Sequence, residues 1–154
     1  MRTTQIPISV GPSQKRDVRT QFAALCYRIV KDRPQVLLIT SRDTGRWVVP
    51  KGWPMDGVTP AKAAAAEAWE EAGVEGRVMD FVLGIYSYNK TVQNKVTLPC
   101  VVAVFPIKVK RLSDDFPEKG ERKRKWFSLK KAAARVNEGE LAQIIANFDP
   151  THLR

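Results

Sequence analysis

The chain predicts a mixed α/β fold, and three features of the sequence predict it. Two apolar, strand-like runs, "FAALCYRIV" (22–30) and "QVLLIT" (35–40), are joined by the turn-forming "KDRP". An alanine-rich stretch over 60–72 carries both a helix start and a helix stop. Beyond a second pair of strand-like runs, the chain ends in helical patterns at 130–136 and 139–148. Strands on both sides of a loop-helix unit, followed by terminal helices, are the signature of mixed α/β.

In chain order, residues 1–20 mix Pro, Gly and polar groups and read as an N-terminal arm, which leaves 21–154 as a single domain. A domain of that size builds a core without disulfide or metal staples. After the first two strands, "RDTG" turns the chain into a short strand, "RWVVP" (46–50). "KGWPMDG" is a glycine-bounded loop leading into the helix. Thr59 is the expected N-cap, Pro60 stands in the first turn and Gly73 is the stop. "RVMDFVLGIYSYN" (77–89) and "KVTLPCVVAVFPIKV" (95–109) predict a strand pair, with Pro99 and Pro106 near the limits of the second. A polar segment precedes the short strand "WFSL" (126–129). "KKAAARV" and "GELAQIIANF" then form one broken helix or two short ones. No internal repeat is present.

The central helix holds an anomaly. "AEAWEEAG" (66–73) places Glu67, Glu70 and Glu71 at i, i+3 and i+4, within about 100° of arc on one face. Like charges so spaced destabilise a helix by roughly 0.2–0.5 kcal/mol per pair. These also lie in the last turns, at the negative end of the helix dipole. No Lys or Arg stands three or four residues from any of them. A solvated acidic face is the ordinary meaning of a charge cluster. It does not explain an unpaired cluster, at the wrong helix end, in a chain of net charge +10. A bound divalent cation explains all three oddities.

Elimination narrows the chemistry further. The only histidine, His152, stands two residues from the C-terminus, which argues against Ser-His-Asp and Cys-His mechanisms. Two separated cysteines and one tail histidine do not make the usual zinc ligand sets. Cys26 and Cys100 lie in apolar, strand-like segments, which favours two buried free thiols over a disulfide and the cytoplasm as compartment. No apolar run approaches the ~18 residues of a membrane span, and the polar start lacks a signal-peptide core. The expectation is therefore a protein without a membrane partner, either monomer or homodimer. Carboxylates and a hard, oxygen-binding metal remain as the chemistry of an enzyme.

From Gly52 to Val74 the chain closely resembles the Nudix box, G-x5-E-x7-R-E-U-x-E-E-x-G-U with U aliphatic. Gly52, Glu67, Ala68, Glu70, Glu71, Gly73 and Val74 match. The first Glu is replaced by Val58 and the Arg by Ala66. Outside the box, "ALCYR" (24–28), "RWVVPKG" (46–52) and "GERKRKWFSL" (120–129) are similar to the diphosphoinositol polyphosphate phosphohydrolase branch. The resemblance implies an α/β/α sandwich, with a mixed sheet between the box helix and the C-terminal helices. It implies Mg²⁺-dependent hydrolysis of a phosphoanhydride, with Mn²⁺ as an alternative ion. Glu67, Glu70, Glu71 and the carbonyl of Gly52 would serve the metal. Glu70 would be either a ligand or the base that activates water. Glu121 is a secondary base candidate, with a solvated loop acid as its plainer reading. In the family the box Arg holds a glutamate in place. Ala66 cannot, and Lys51 or Arg46 is the expected substitute.

The basic side of the chain points to the substrate. Residues 108–135 contain eleven Lys/Arg and four Asp/Glu, a concentration that predicts a patch for a molecule with several phosphates. By the same resemblance Arg19, Arg42, Lys51 and Arg122 stand where substrate-binding cations belong, Arg42 and Arg122 foremost. Trp53, in the loop before the helix, is a candidate for substrate contact, whereas Trp47 and Trp126 read as packing. Diphosphoinositol polyphosphates and dinucleoside polyphosphates are the expected substrates. RNA 5′ ends are an alternative, as is a catalytically weak fold that binds nucleotide or nucleic acid.

Overall fold

Along each long strand the buried side chains alternate between two separate clusters, which is what a sheet covered on both faces requires. In the computed structural model, residues 9–10, 18–92 and 96–153 are described, so most of the expected arm lies outside them. The strands are β1 (Ser9–Val10), β2 (Val18–Val30), β3 (Arg33–Thr40), β4 (Trp47–Val48) and β5 (Lys51–Gly52), then β6 (Val74–Val78), β7 (Gly84–Val92), β8 (Val96–Leu112) and β9 (Arg124–Ser128). The helices are α1 (Pro60–Ala72), α2 (Leu129–Arg135) and α3 (Gly139–Ala146), followed by a 3₁₀ turn at Pro150–His152.

β2 is the centre. It runs parallel to β8 from Arg19 opposite Cys100 to Tyr27 opposite Lys108, and antiparallel to β3. β9 pairs with β3 on the outside, and β6 and β7 pair with β8, all antiparallel. One parallel pair among antiparallel neighbours makes the sheet mixed. The β2–β3 connection is a two-residue turn in which Lys31 and Asp32 have φ of 51° and 64°, the left-handed geometry that suits the twist of a tight hairpin.

On one face Ala24 and Cys26 of β2, Leu37 and Ile39 of β3 and Phe105 and Ile107 of β8 pack on Ala61, Ala64, Ala68 and Ala72 of α1. The alanines let the helix lie close to the sheet. On the other face Leu25, Tyr27, Val36, Leu38, Val102 and Val104 pack on Ala132, Leu141, Ile145 and Phe148. The result is the α/β/α sandwich that the sequence predicts. Helix α1 matches its expected bounds, with the Thr59 hydroxyl accepting from the Lys62 N–H and Gly73 in the left-handed region at φ 68°.

Two expectations change. The strand expected over 77–89 is two strands, because its partner β8 carries Pro106 where the pairing breaks. β7 pairs with β8 up to Val104 and β6 from Ile107 onward, and a proline has no N–H to carry one ladder across. Both prolines therefore lie inside β8, not near its limits. Pro99 is tolerated because the β2 ladder begins only at Cys100, so it faces one neighbour alone. Trp47 and Trp126 pack as expected. Trp47 meets Phe127 edge-on at 5.1 Å, and Trp126 lies under the Arg28 guanidinium at 4.2 Å.

Candidate active site

The anomaly in α1 resolves into two unequal parts. Glu67 and Glu71 are one full turn apart and both buried, 2 % and 8 % exposed, while Glu70 is half-buried. Glu70 stands about 100° around the helix from Glu71 and about 60° from Glu67. Gly52, at the end of β5, makes room for the pair. A methyl group there would lie 2.5 Å from Glu67 Oε2 and 2.6 Å from Oε1, so only glycine lets the carboxyl seat against the strand. Glu67 and Glu71 share a hydrogen bond. Two acids so placed need either a shared proton or a cation between them.

Tertiary contacts supply the positive charge that the helix itself lacks. Glu71 Oε1 accepts from the Lys51 backbone N–H at 3.4 Å and faces Arg122 Nη2 at 3.9 Å. Burial pushes the Glu71 carboxyl above its usual range, opposed by Arg122 and then Lys51. Arg122, 11 % exposed along its side chain, is fixed by donating from Nε to Glu118 at 3.0 Å and from Nη1 to the Thr40 carbonyl at 3.2 Å. Arg124 answers the other difficulty, the helix end. Its Nη1 donates to the Ala72 carbonyl at 2.7 Å and to the Ser113 carbonyl at 2.8 Å, a cationic cap on the negative terminus. Arg46, expected near the glutamates, instead pairs with Glu138 at 2.7 Å. The α2–α3 connection holds that carboxylate in reach.

Beside the pair opens a cleft of about 310 Å³ whose walls include Arg42, Arg46, Lys51, Lys90, Arg122 and Tyr88. Lys51 and Arg122 both line it and reach Glu71, which joins the cleft to the buried acid through these two residues. Burial pushes the Lys51 ammonium down to about 8, although Glu71 draws it up. At the rim Arg42 pairs with Glu121 at 3.1 Å. Trp53 lies under the Lys90 ammonium at 5.6 Å. Arg19 sits on β2 opposite Cys100 and does not line the cleft.

The basic stretch at 108–135 meets the cleft at one residue. Among the described residues only Arg122 of its eleven cations lines the cleft. Arg124 caps α1, Arg111 pairs with Glu75, and Lys125 and Arg135 lie over Phe127. The stretch crosses three kinds of structure: five of these cations stand on β8 and β9, where successive side chains leave on opposite faces, and the others on the β8–β9 connection and α2. The cations that replace them, Arg46 and Lys90, were legible only through that same period. Tyr86, Tyr88 and Lys90 follow one face of β7 from core to cleft.

The carboxyl pair fits a divalent cation by donor chemistry, since hard cations take oxygen ligands. Among the described residues no three His, Cys, Asp or Glu side chains close into a ligand cluster. Mg²⁺ is commonly bound by one or two carboxylates, which the buried pair could provide, with substrate phosphates and water completing the shell.

Fold and site together define a class, an α/β/α sandwich with buried glutamates on one helix and a cationic cleft joined to them through Lys51 and Arg122. Residues 19–148 match the family described as NUDIX domain, and the chain belongs to that family of hydrolase domains. It is 32 % identical over 116 residues to diphosphoinositol polyphosphate phosphohydrolase 3-alpha of Mus musculus, covering 74 % of this chain and 66 % of that protein. It is 35 % identical over 101 residues to Nudix hydrolase 12, mitochondrial, of Arabidopsis thaliana, covering 64 % of this chain and 50 % of that protein. The chain thus spans half to about two thirds of these relatives' lengths. Among solved structures, the E. coli dihydroneopterin triphosphate pyrophosphohydrolase superposes with a TM-score of 0.65 at 20 % identity, covering 84 % of this chain and 93 % of that one. A C. elegans Ap4A hydrolase complex does so with a TM-score of 0.62 at 20 % identity, covering 82 % and 92 %. At such identity the likeness establishes the fold.

Proposed function

We propose that this chain hydrolyses a phosphoanhydride bond in a heavily phosphorylated small molecule, with Mg²⁺ or Mn²⁺ as cofactor. The observation that carries the proposal is that Lys51 and Arg122 line a cleft bearing Arg42, Arg46 and Lys90 and also reach Glu71 of the buried Glu67/Glu71 pair. Inositol pyrophosphates lead the substrate classes, on the strength of the relatives with that activity in their names, and dinucleoside polyphosphates follow.

Glu67 and Glu71, with the Gly52 carbonyl, would hold the ion. Bound there, a divalent cation supplies polarisation of a phosphoryl oxygen and acidification of water. The chain's own residues do the rest. Arg42 and Lys51 take the remote phosphates, Arg by paired hydrogen bonds and Lys as a point charge. Arg122 adds charge at the junction between cleft and carboxylates. Glu70, half-buried and next to Glu71 in the chain, would accept the proton of the attacking water. Glu121 is the second candidate for that role, and its pairing with Arg42 puts it at the cleft rim. Trp53 offers an apolar edge for the non-phosphate part of the substrate.

Two further lines belong to this reading. Cys26 and Cys100 are buried and free, which supports a reducing compartment such as the cytoplasm. Among the described residues no helix is long and apolar enough to cross a membrane. A second reading is favoured by one observation, the loss of two box residues at Val58 and Ala66. It is a binding domain of weak activity, for nucleotides or for RNA 5′ ends. Phosphate release from inositol pyrophosphates, dinucleoside polyphosphates and 5′-triphosphate RNA, with and without Mg²⁺, decides between them. Turnover only with metal, and greatest on the small polyphosphates, is the expected result. Binding that ignores Mg²⁺ and weakens steeply with salt would favour the second reading.

A further inference from the structure

We infer that Arg122 is the positioning residue for Glu71, delivering from the β8–β9 connection the cation that position 66 of the helix lacks. This rests on the proposed hydrolase reading and deepens it.

Three contacts carry the argument, and together they form a closed ring. The Glu118 backbone N–H donates to the Glu70 carbonyl at 2.9 Å, fastening the connection to the last turns of α1. The Glu118 carboxylate accepts from Arg122 Nε at 3.0 Å. Arg122 Nη2 then returns to the helix at Glu71 Oε1, 3.9 Å away. A further bond from Nη1 to the Thr40 carbonyl, at 3.2 Å, ties the same guanidinium to the end of β3. Its planar fork is thus held at two nitrogens before it meets the glutamate at the third, a geometry that Lys cannot reproduce. The Lys51 backbone N–H addresses the same oxygen, so both contacts restrain Oε1.

Charge counting points the same way. Residue 66 is alanine, and the helix has no cation within a turn of Glu67, Glu70 or Glu71. Arg46 is engaged by Glu138 and Arg124 by the helix terminus. Of the arginines that the chain brings to this corner, Arg122 alone forms an ion pair with Glu71 among those described. Outer contacts of this kind affect metal affinity or activity by about 10–100-fold when removed.

The test is a double-mutant cycle on the full chain with Arg122→Gln and Glu71→Gln, read in two ways. One is kcat and KM on an inositol pyrophosphate. The other is the rise in Tm that Mg²⁺ produces, which needs no turnover. If Arg122 acts through Glu71, Arg122→Gln lowers kcat about 10–100-fold and shrinks the Mg²⁺-induced Tm rise. In the Glu71→Gln background it then adds little to either loss. Arg122→Lys should keep the fold and cleft charge yet lose most of kcat. Glu118→Gln, outside the cleft, should lower kcat with KM nearly unchanged. Additive losses, or a rise in KM with kcat and the Mg²⁺ shift intact, would show a substrate clamp and overturn the inference alone. A wild-type chain with neither Mg²⁺-dependent turnover nor a Tm rise would overturn the hydrolase reading, and this inference with it.

Discussion

Gly52→Ala tests the seating of the carboxyl pair directly. A methyl group at 52 would lie 2.5 Å from Glu67 Oε2, where ordinary contact begins near 3.4 Å. One partner must retreat by roughly 1 Å, and neither is loose. Glu67 is 2 % exposed, and Gly52 is paired to Phe22 in the sheet. Overpacking of this kind costs about 1–3 kcal/mol. A shift near 1 Å in a group that positions the reaction costs about 10²-fold in rate. Gly52→Ala should therefore lower the urea midpoint and reduce kcat about 100-fold at saturating Mg²⁺. Adding Glu67→Asp withdraws the carboxyl by one methylene, roughly 1.5 Å. The double variant should regain stability without regaining turnover, because the acid no longer reaches its place. Urea unfolding of the four proteins, with kcat across a Mg²⁺ titration, reads both effects. A single variant with the wild-type midpoint and kcat would refute the reasoning, since Glu67 would not then be held against β5.

The remaining predictions concern charge. Glu70→Gln and Glu71→Gln should each lower kcat by about 10²-fold or more while the chain stays folded, checked by turnover at saturating Mg²⁺ and by circular dichroism. Mg²⁺ or Mn²⁺ at millimolar levels should raise Tm by mass action, read by calorimetry, and Glu67→Gln should abolish the rise. Arg124→Gln removes the donor to the Ala72 and Ser113 carbonyls and should destabilise by about 1–3 kcal/mol, with kcat/KM of the folded fraction nearly unchanged; Arg42→Gln should do the reverse, raising KM with stability kept. Lys51, held down to about 8 by burial, should lose its charge as pH climbs through that value. KM for a polyphosphate should rise between pH 7 and pH 9, and Lys51→Arg should flatten the rise. Because the folded chain releases this proton before the unfolded chain does, stability gains from the same group as pH rises from about 8 toward the ordinary lysine value of about 10.4.

How much of this was legible in the sequence depends on the range of each interaction. Helix α1 was legible residue by residue, since Thr59, Pro60 and Gly73 act on their own backbone neighbours. So was the pairing of Glu67 with Glu71 on one face, because 3.6 residues per turn needs no tertiary knowledge. The split between β6 and β7 was not. It is imposed by Pro106 on a different strand, and only the register of the sheet shows which residues Pro106 faces. Nor was it legible which cations of the basic stretch over 108–135 reach the cleft. Neighbours in a run of charge part company where the run passes from a strand, whose side chains alternate between faces, into a connection and a helix.

The sequence by itself determined the class of fold, the bounds of the acidic helix and the gathering of three carboxylates with no cation beside them on their own helix. It also determined that position 66 could not provide one. Only the tertiary structure decided where the compensation comes from. Arg122 meets Glu71 across 51 residues of chain, and Arg124 caps Ala72 across 52. Glu138 takes Arg46 across 92. Local periodicity sets the direction in which a side chain leaves its own element. Which side chain it meets is set by strand order and register, and these arise from the burial of two apolar faces by the whole chain at once.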